Sequence, residues 1–217
     1  MVARENPEPT QGMFVAMKGG NNNESHNHND IGNVIIYHDG NPVLIDTGAG
    51  TYTKKTFSAQ RYELWYMQSS YHNLPDIGGV AEKDGGAFRS SDEVYNEATG
   101  GVKMEIGGAY PKEAGILSYT RETVLADGVV TVTDTLSLTE EKEIDFHYMS
   151  PVKPTLDGNT IALAEGRTMI FDNALTPEIE EFAVEDDGVE KNWKTPLLWR
   201  IHLRTKVKEG SFTVTVK

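Results

Sequence analysis

The segment Val124–Val130 (VLADGVV) decides the fold class of this chain of 217 residues. Its central Asp127-Gly128 pair favours the positive φ angles of a two-residue hairpin turn, and apolar residues flank the turn. Beyond the turn, apolar side chains alternate with polar ones at Val130, Val132, Leu136 and Leu138. Period-two alternation is typical of strands with one buried face, so the segment predicts a β-hairpin.

The same strand and turn signals recur through the rest of the chain. They include an alternating run at Ile144–Met149, a tight turn within Leu156–Ile161, and two closing strands at Trp199–Arg204 and Phe212–Val216. No repeat, heptad pattern or long amphipathic helix interrupts them. We therefore predict an all-β fold, a large antiparallel β-sandwich of two packed sheets.

The predicted sandwich occupies residues 13–217 as one domain. Residues 1–12 are predicted to be a polar lead-in, because Pro7 and Pro9 discourage regular structure there. Neither a signal peptide nor an apolar run long enough to span a bilayer is recognisable in the sequence.

Composition narrows the functional classes. The formal net charge is -13, which argues against general nucleic-acid binding, since that depends on clustered Lys and Arg. The chain has no cysteine, so a metal would have to be held by imidazole, carboxylate, carbonyl or water ligands. The fingerprints of phosphate-binding loops and of serine hydrolases are also missing.

Two further features lie in the first third of the chain. A second hairpin is predicted around Asp39-Gly40, between the apolar runs Val34–Tyr37 and Val43–Ile45. The segment Thr56–Met67 is ambiguous between a short helix and an aromatic-rich strand. Its residues Tyr62, Trp65 and Tyr66 fall at helical spacing, which favours core packing over the alternative of a sugar-stacking platform.

The polar loop Gly19–Asp30 contains the residues with the most chemical potential. His26 and His28 stand two apart, so in an extended segment they would point the same way. With Asp46 at a strand end and His72 in a turn-rich segment, they form a ligand set that suits zinc. The residue types also permit general acid/base work, or a loop whose side chains only bond their own backbone.

These residues lie in motifs that resemble the heparinase II/III family of polysaccharide lyases. The resemblance covers about residues 14–77. The motifs that carry it are Lys18–Gly20, Ser25–Asp30 leading into Gly32–Val34, Pro42–Gly48 and Gln68–Asn73.

The resemblance implies that this chain is the C-terminal β-sandwich, without the helical toroid expected before it. It implies zinc bound by His28, Asp46 and His72, with calcium or manganese still open, and His26 as the catalytic residue. The implied reaction is β-elimination on uronic-acid polysaccharides of the heparin, heparan sulfate or alginate kind. Lys18, Arg61 and Tyr71 are candidate substrate-binding residues.

The resemblance also implies a Tyr acid and base on the toroid, so this chain alone would be inactive, and a periplasmic or secreted location. Two other functions stay open at this stage. One is a non-catalytic carbohydrate-binding or interaction module that uses the aromatic residues as a platform. The other is a metal-dependent oxygenase of the cupin type, since the His-x-His pair with a later acid and His permits iron.

Overall fold

The computed structural model describes residues 1–8 and 10–217, so Pro9 and its predicted effect lie outside the described residues. The strands, in chain order, are β1 Val2–Arg4, β2 Met13–Met17, β3 Asn21–Asn22, β4 Val34–His38, β5 Asn41–Leu44, β6 Pro75–Ile77, β7 Gly85–Arg89, β8 Ser91–Asn96, β9 Gly101–Glu105, β10 Ile116–Ala126, β11 Val129–Ser150, β12 Thr155–Asp157, β13 Thr160–Ala162, β14 Thr168–Phe171, β15 Thr176–Ala183 and β16 Leu197–Val216.

Helical structure in the described residues is confined to short pieces. The α-helix α1 spans Asp187–Trp193, and the 3₁₀ turns are Lys55–Phe57, Arg61–Glu63, Trp65–Met67, Ser69–Tyr71, Gly107–Ala109, Lys112–Ala114 and Ala164–Gly166. None of these helices is long and apolar enough to cross a membrane.

The hairpin predicted around Asp127-Gly128 joins the long strands β10 and β11. Ala126 pairs with Val129 across the turn, and Asp127 and Gly128 take φ angles of 51° and 71°. These left-handed angles are those the turn type requires. The other edge of β11 pairs with β16 along most of its length, so the hairpin and the last strand form the centre of the larger sheet.

Two antiparallel sheets pack face to face. The smaller sheet has the order β1-β2-β4-β5, and the larger has the order β12-β13-β14-β16-β11-β10-β9-β8, with β15 added to β16 and β6 to β11. One core cluster joins them, from Val15 and Ile36 on the smaller sheet to Val132 and Phe146 on the larger. The predicted all-β sandwich is confirmed.

The predicted polar lead-in differs from the structure at its start. Val2–Arg4 is a strand that pairs with β2, with Ala3 opposite Val15. The Arg4 guanidinium lies 4.6 Å from the centre of the Phe14 ring, and this cation–π contact helps hold the strand on the sheet edge. The strand ends before Pro7, where the predicted break in regular structure begins.

A second, smaller core holds the segment that follows β5. Tyr66 and Met67 are buried there with Ile45, Met149 and residues of α1. The ambiguous segment Thr56–Met67 is therefore a series of 3₁₀ turns packed on this core. Close approach is possible because residue 50 is glycine: a Cβ there would lie 2.4 Å from the Tyr66 ring.

Candidate metal centre

The polar loop runs from the end of β2 to the start of β4. Its first residues form β3, which pairs with β7. Glycines at both ends adopt positive φ angles, 109° at Gly20 and 90° at Gly32. At Gly32 a Cβ would meet Ile106 at 2.8 Å, so this turn needs glycine for space as well as for conformation.

Three side chains predicted as metal ligands come together below this loop. Ligand atoms of His28, Asp46 and His72 all lie within 4.8 Å of one another. Asp46 follows β5 and His72 follows the 3₁₀ turn Ser69–Tyr71, so three separate segments supply the group. The imidazole rings of His28 and His72 are 5.4 Å apart between centroids.

The environment of His72 is compatible with a bound metal ion. Its side chain has no exposed surface, and neither ring nitrogen has a hydrogen-bond partner among the described residues. Nδ1 lies 3.1 Å from Asp46 Oδ2, yet the angles are not those of a hydrogen bond. A buried polar group without a partner is costly, and two imidazoles with one carboxylate are a donor set that zinc accepts.

The protonation of the group is set by its burial and its mutual charges. Burial, together with the neighbouring His72, lowers the pKa of His28 to about 4, so the His28 imidazole is neutral at pH 7. Burial opposes ionisation of Asp46, but His72 and the Gly48 N–H hold its pKa well below the ordinary value. Asp46 in turn raises the pKa of His72 despite burial.

Two asparagines orient the ligands. Asn33 donates to Asp46 Oδ2 at 2.6 Å through its Nδ2, while its Oδ1 accepts from the backbone N–H of Asn73 at 3.1 Å. Asn73 also donates to the carbonyls of Val34 and Ile45, and it accepts from the N–H of Met149. The segment carrying His72 is therefore tied to both sheets.

A buried ion pair also stabilises the polar loop and the segment that carries His72. Arg121 forms two hydrogen bonds to the carboxylate of Asp134, at 2.7 and 2.9 Å. Its remaining nitrogen donates to the carbonyls of Gly32 and Asn73, at 2.9 and 2.6 Å. These carbonyls belong to the end of the polar loop and to the segment carrying His72, so Arg121 fixes one relative to the other.

Glu82 fastens the two ends of the polar loop. Its Oε2 accepts from Asn22 Nδ2 and from the backbone N–H of Ile31, each at 3.0 Å, and its carbonyl accepts from Asn29. The other carboxyl oxygen is buried without a partner among the described residues. Burial raises the pKa of Glu82 to about 8, so this side chain is mostly protonated at neutral pH.

His26 has a different environment from His28. It is exposed, at the tip of the loop, with a φ angle of 60°. Its Nδ1 lies 2.9 Å from the hydroxyl of Tyr52, whose ring is itself exposed and stacks on Phe57. The loop thus presents one imidazole to the metal ligands and the other, with a tyrosine, to the outside.

The three candidate substrate-binding side chains mainly contact the protein itself. Lys18 pairs with Asp30 at 2.5 Å, and Arg61 donates to the carbonyls of Asn27 and Thr56. Tyr71 packs among aromatic rings, with the Arg200 guanidinium 4.5 Å from its ring centre. Their role toward a substrate stays a prediction, and the observed contacts are those of residues that shape the site.

Several residues of the site were not singled out from the sequence. Tyr52 is 26 positions from His26, and only the packing of the loop after Asp46 brings the two together. Asn33 and Asn73 lie within the motifs Gly32–Val34 and Gln68–Asn73, but their contacts with Asp46 and with each other become visible only in the structure. Nothing in the sequence around Glu82 indicates that its carboxylate binds both ends of the polar loop.

Comparison with known proteins agrees with this fold. Similar solved structures include heparinase III, the BT4657 gene product with methylated lysines, with a TM-score of 0.76 and 15% identity over 99% of this chain and 33% of that chain. Heparan sulfate lyase HepC from Pedobacter heparinus has a TM-score of 0.72 and 13% identity over 94% of this chain and 32% of its own. Another heparinase III structure has a TM-score of 0.71 and 17% identity over 99% of this chain and 34% of its own. At these identities the likeness shows the fold alone, and the chain spans about a third of the length of those proteins.

Sequence comparison gives the family itself. No curated protein sequence matches the chain. The family model described as heparinase II/III-like, C-terminal, matches residues 8–213, which is nearly the whole chain. The resemblance found in the motifs around His26, Asp46 and His72 is therefore confirmed, and the chain belongs to the heparinase II/III-like C-terminal family.

Proposed function

We propose that this chain is the β-sandwich part of a polysaccharide lyase that cleaves uronic-acid polymers by β-elimination. In this proposal His26 acts on the substrate, and His28, Asp46 and His72 hold a metal ion that fixes the loop carrying it. The observation that carries the proposal is that the two histidines of the polar loop lie in different environments. His28 joins a buried ligand group, while His26, two residues away, is exposed and bonded to Tyr52.

The chemistry of β-elimination explains what His26 would do. Removing the proton at C5 of a uronate places negative charge beside a carboxylate, so the developing anion needs a hydrogen-bond donor or a positive charge. His26 has solvent access and a ring whose Nδ1 is oriented by the Tyr52 hydroxyl. It can therefore donate a hydrogen bond from Nε2 to the uronate carboxylate.

The metal would supply a fixed point rather than a reacting group. When bound, it joins the polar loop to the segments after β5 and after Ser69–Tyr71, and it neutralises Asp46. Two imidazoles and one carboxylate favour zinc over calcium, which prefers oxygen ligands only. Asn33 and Asn73 would orient the ligands, as outer residues do in other metal sites.

The alternative of a non-catalytic carbohydrate-binding module has less support. The candidate sugar-stacking platform of that alternative is Tyr62, Trp65 and Tyr66. However, Tyr66 is only 2% exposed, and the other two rings pack on the second core. Rings used for packing cannot offer their faces to a sugar.

The proposal includes a second domain. The family resemblance implies that a Tyr on a helical toroid acts as both acid and base, so we expect this chain alone to be inactive. The similar solved chains are about three times as long as this chain, which is compatible with such a partner. We also propose a periplasmic or secreted location, where acidic polysaccharides are met.

The test uses the full-length protein with heparan sulfate, alginate and related acidic polymers. We expect an unsaturated uronate product, detected by its ultraviolet absorbance, and we expect His26→Ala to reduce its rate by about 10²-fold or more. His38→Ala, at the end of β4, is the matched control and should leave the rate unchanged. No product from any acidic polymer, or full activity in His26→Ala, would contradict the proposal.

A further inference from the structure

A second group with the same donor set lies on the outer face of the larger sheet. It consists of Asp145, His147 and His202, and we call it the outer cluster. His147 and His202 are directly opposite each other on β11 and β16, and Asp145 stands two residues before His147 on the same face. Ligand atoms of the three side chains lie within 4.8 Å of one another.

The distances in the outer cluster approach those of a metal site. His202 Nδ1 lies 2.9 Å from Asp145 Oδ2, and His147 Nε2 lies 3.5 Å from the same oxygen. Donors around a tetrahedral zinc ion, bound at about 2.1 Å, are separated by about 3.4 Å. Small side-chain rotations would therefore bring the three donors to one ion.

The two imidazoles are buried, which makes their hydrogen bonding informative. His147 is 2% exposed, and its Nδ1 has no hydrogen-bond partner among the described residues. The ring nitrogen that faces Asp145 is Nε2, so Nε2 is the atom that His147 would offer to an ion shared with Asp145. His202, 5% exposed, contacts Asp145 through Nδ1 and Glu180 of β15 through Nε2, at 3.3 Å.

The charges around the outer cluster also favour a cation. Four carboxylates surround it, against two guanidiniums; they are Asp76, Asp145, Glu178 and Glu180, with Arg200 and Arg204. The carboxylates therefore exceed the guanidiniums by two negative charges, which one divalent ion would balance. Arg204 donates to Asp145 Oδ2 at 2.8 Å and competes for the same oxygen.

We propose that the outer cluster binds a second divalent transition-metal ion of the zinc class, separate from the candidate metal centre. The ion would link β11 to β16 in the part of the sheet where β15 pairs with β16. Since Arg204 competes for Asp145, this site should bind more weakly than the centre formed by His28, Asp46 and His72. The inference does not depend on lyase activity.

The test counts metal ions on the chain after chelator treatment and dialysis against zinc or cobalt. We expect two equivalents by elemental analysis, one tight and one weak, and two tetrahedral cobalt spectra. His202→Gln and Asp145→Asn should each lose the weaker equivalent, whereas His72→Gln should lose the tighter one. His38→Gln is the control and should keep both.

The outcomes separate this inference from the proposed function. One equivalent in the natural protein, lost in His72→Gln and kept in His202→Gln, would overturn the outer site and leave the first centre intact. One equivalent with the reverse pattern would support the outer site and overturn the first. If His202→Gln does not fold, the comparison of the natural protein with Asp145→Asn decides, and equal metal counts in these two proteins overturn the inference.

Discussion

His26 Nδ1 lies 2.9 Å from the hydroxyl of Tyr52. This contact joins the tip of the polar loop to the loop that follows Asp46. Tyr52 is held in turn by its neighbour Thr51, whose backbone N–H donates to Asp186 at the start of α1. The orientation of an exposed imidazole thus depends on a helix far along the chain.

Removing the Tyr52 hydroxyl should impair turnover without unfolding the protein. Tyr52→Phe loses one hydrogen bond at an exposed site, so the melting temperature should change little. If Tyr52 sets the ring orientation of His26, kcat of the full-length lyase should fall about tenfold, with KM nearly unchanged. Tyr37→Phe is the control, and equal kcat values in the natural protein and in Tyr52→Phe would contradict this role.

Asn33 should control the affinity of the metal centre. Asn33→Ala removes the donor to Asp46 Oδ2, in a partly buried setting, and the acceptor for the Asn73 N–H, in a buried one. We expect zinc affinity to fall about 10- to 100-fold, as measured by competition with a chromophoric chelator. Asn41→Ala, at an exposed turn, should bind zinc like the natural protein, and a similar result for Asn33→Ala would show that the ligands need no such support.

Glu82 should make the stability of the metal-free chain depend on pH. Its pKa is about 8 when folded and 4.5 as an ordinary value, so between these values the folded state binds one more proton than the unfolded state. The free energy of unfolding should then decrease as pH rises through this window, by up to about 1.4 kcal/mol per pH unit.

The comparison variant is Glu82→Gln, which keeps an acceptor for Asn22 and Ile31 but does not titrate. Urea unfolding of both proteins at several pH values, with a chelator present, measures the difference. The natural protein should lose stability relative to Glu82→Gln as pH rises. Parallel pH profiles would mean that Glu82 ionises without cost in the folded state.

Arg121 should be among the most sensitive positions for stability. Arg121→Met leaves Asp134 buried without its partner, and we expect a loss of about 3–5 kcal/mol in the free energy of unfolding. The double variant Arg121→Met with Asp134→Leu removes the uncompensated charge and should recover only part of this loss. The carbonyls of Gly32 and Asn73 still lack their donor.

Denaturant unfolding of the two variants measures both effects. Full recovery in the double variant would show that the ion pair alone matters and that the two carbonyl contacts contribute nothing. A loss below about 1 kcal/mol in Arg121→Met would contradict the buried-charge argument altogether.

Local signals in the sequence predicted the fold well. The Asp127-Gly128 turn and the alternation after it are encoded in neighbouring residues, and the structure confirms both. The strand Val2–Arg4 was missed because its stability comes from pairing with β2 and from the Phe14 ring, not from its own composition.

The site was predictable only in part, for the same reason. His26, His28, Asp46 and His72 lie in recognisable motifs, and the last three do come together. Tyr52, Glu82 and Arg121 act across long sequence separations that no local pattern reports. His147 and His202 lie opposite each other on β11 and β16 because of the strand register, which no local pattern reports.

The central claim is that His28, Asp46 and His72 bind one metal ion beneath the loop carrying His26. The most direct measurement is anomalous X-ray diffraction from crystals of the purified protein, recorded on both sides of the zinc absorption edge. We predict a peak about 2.0–2.2 Å from a donor atom of each of the three side chains. An anomalous map of zinc-loaded crystals with no peak among these residues would contradict the account.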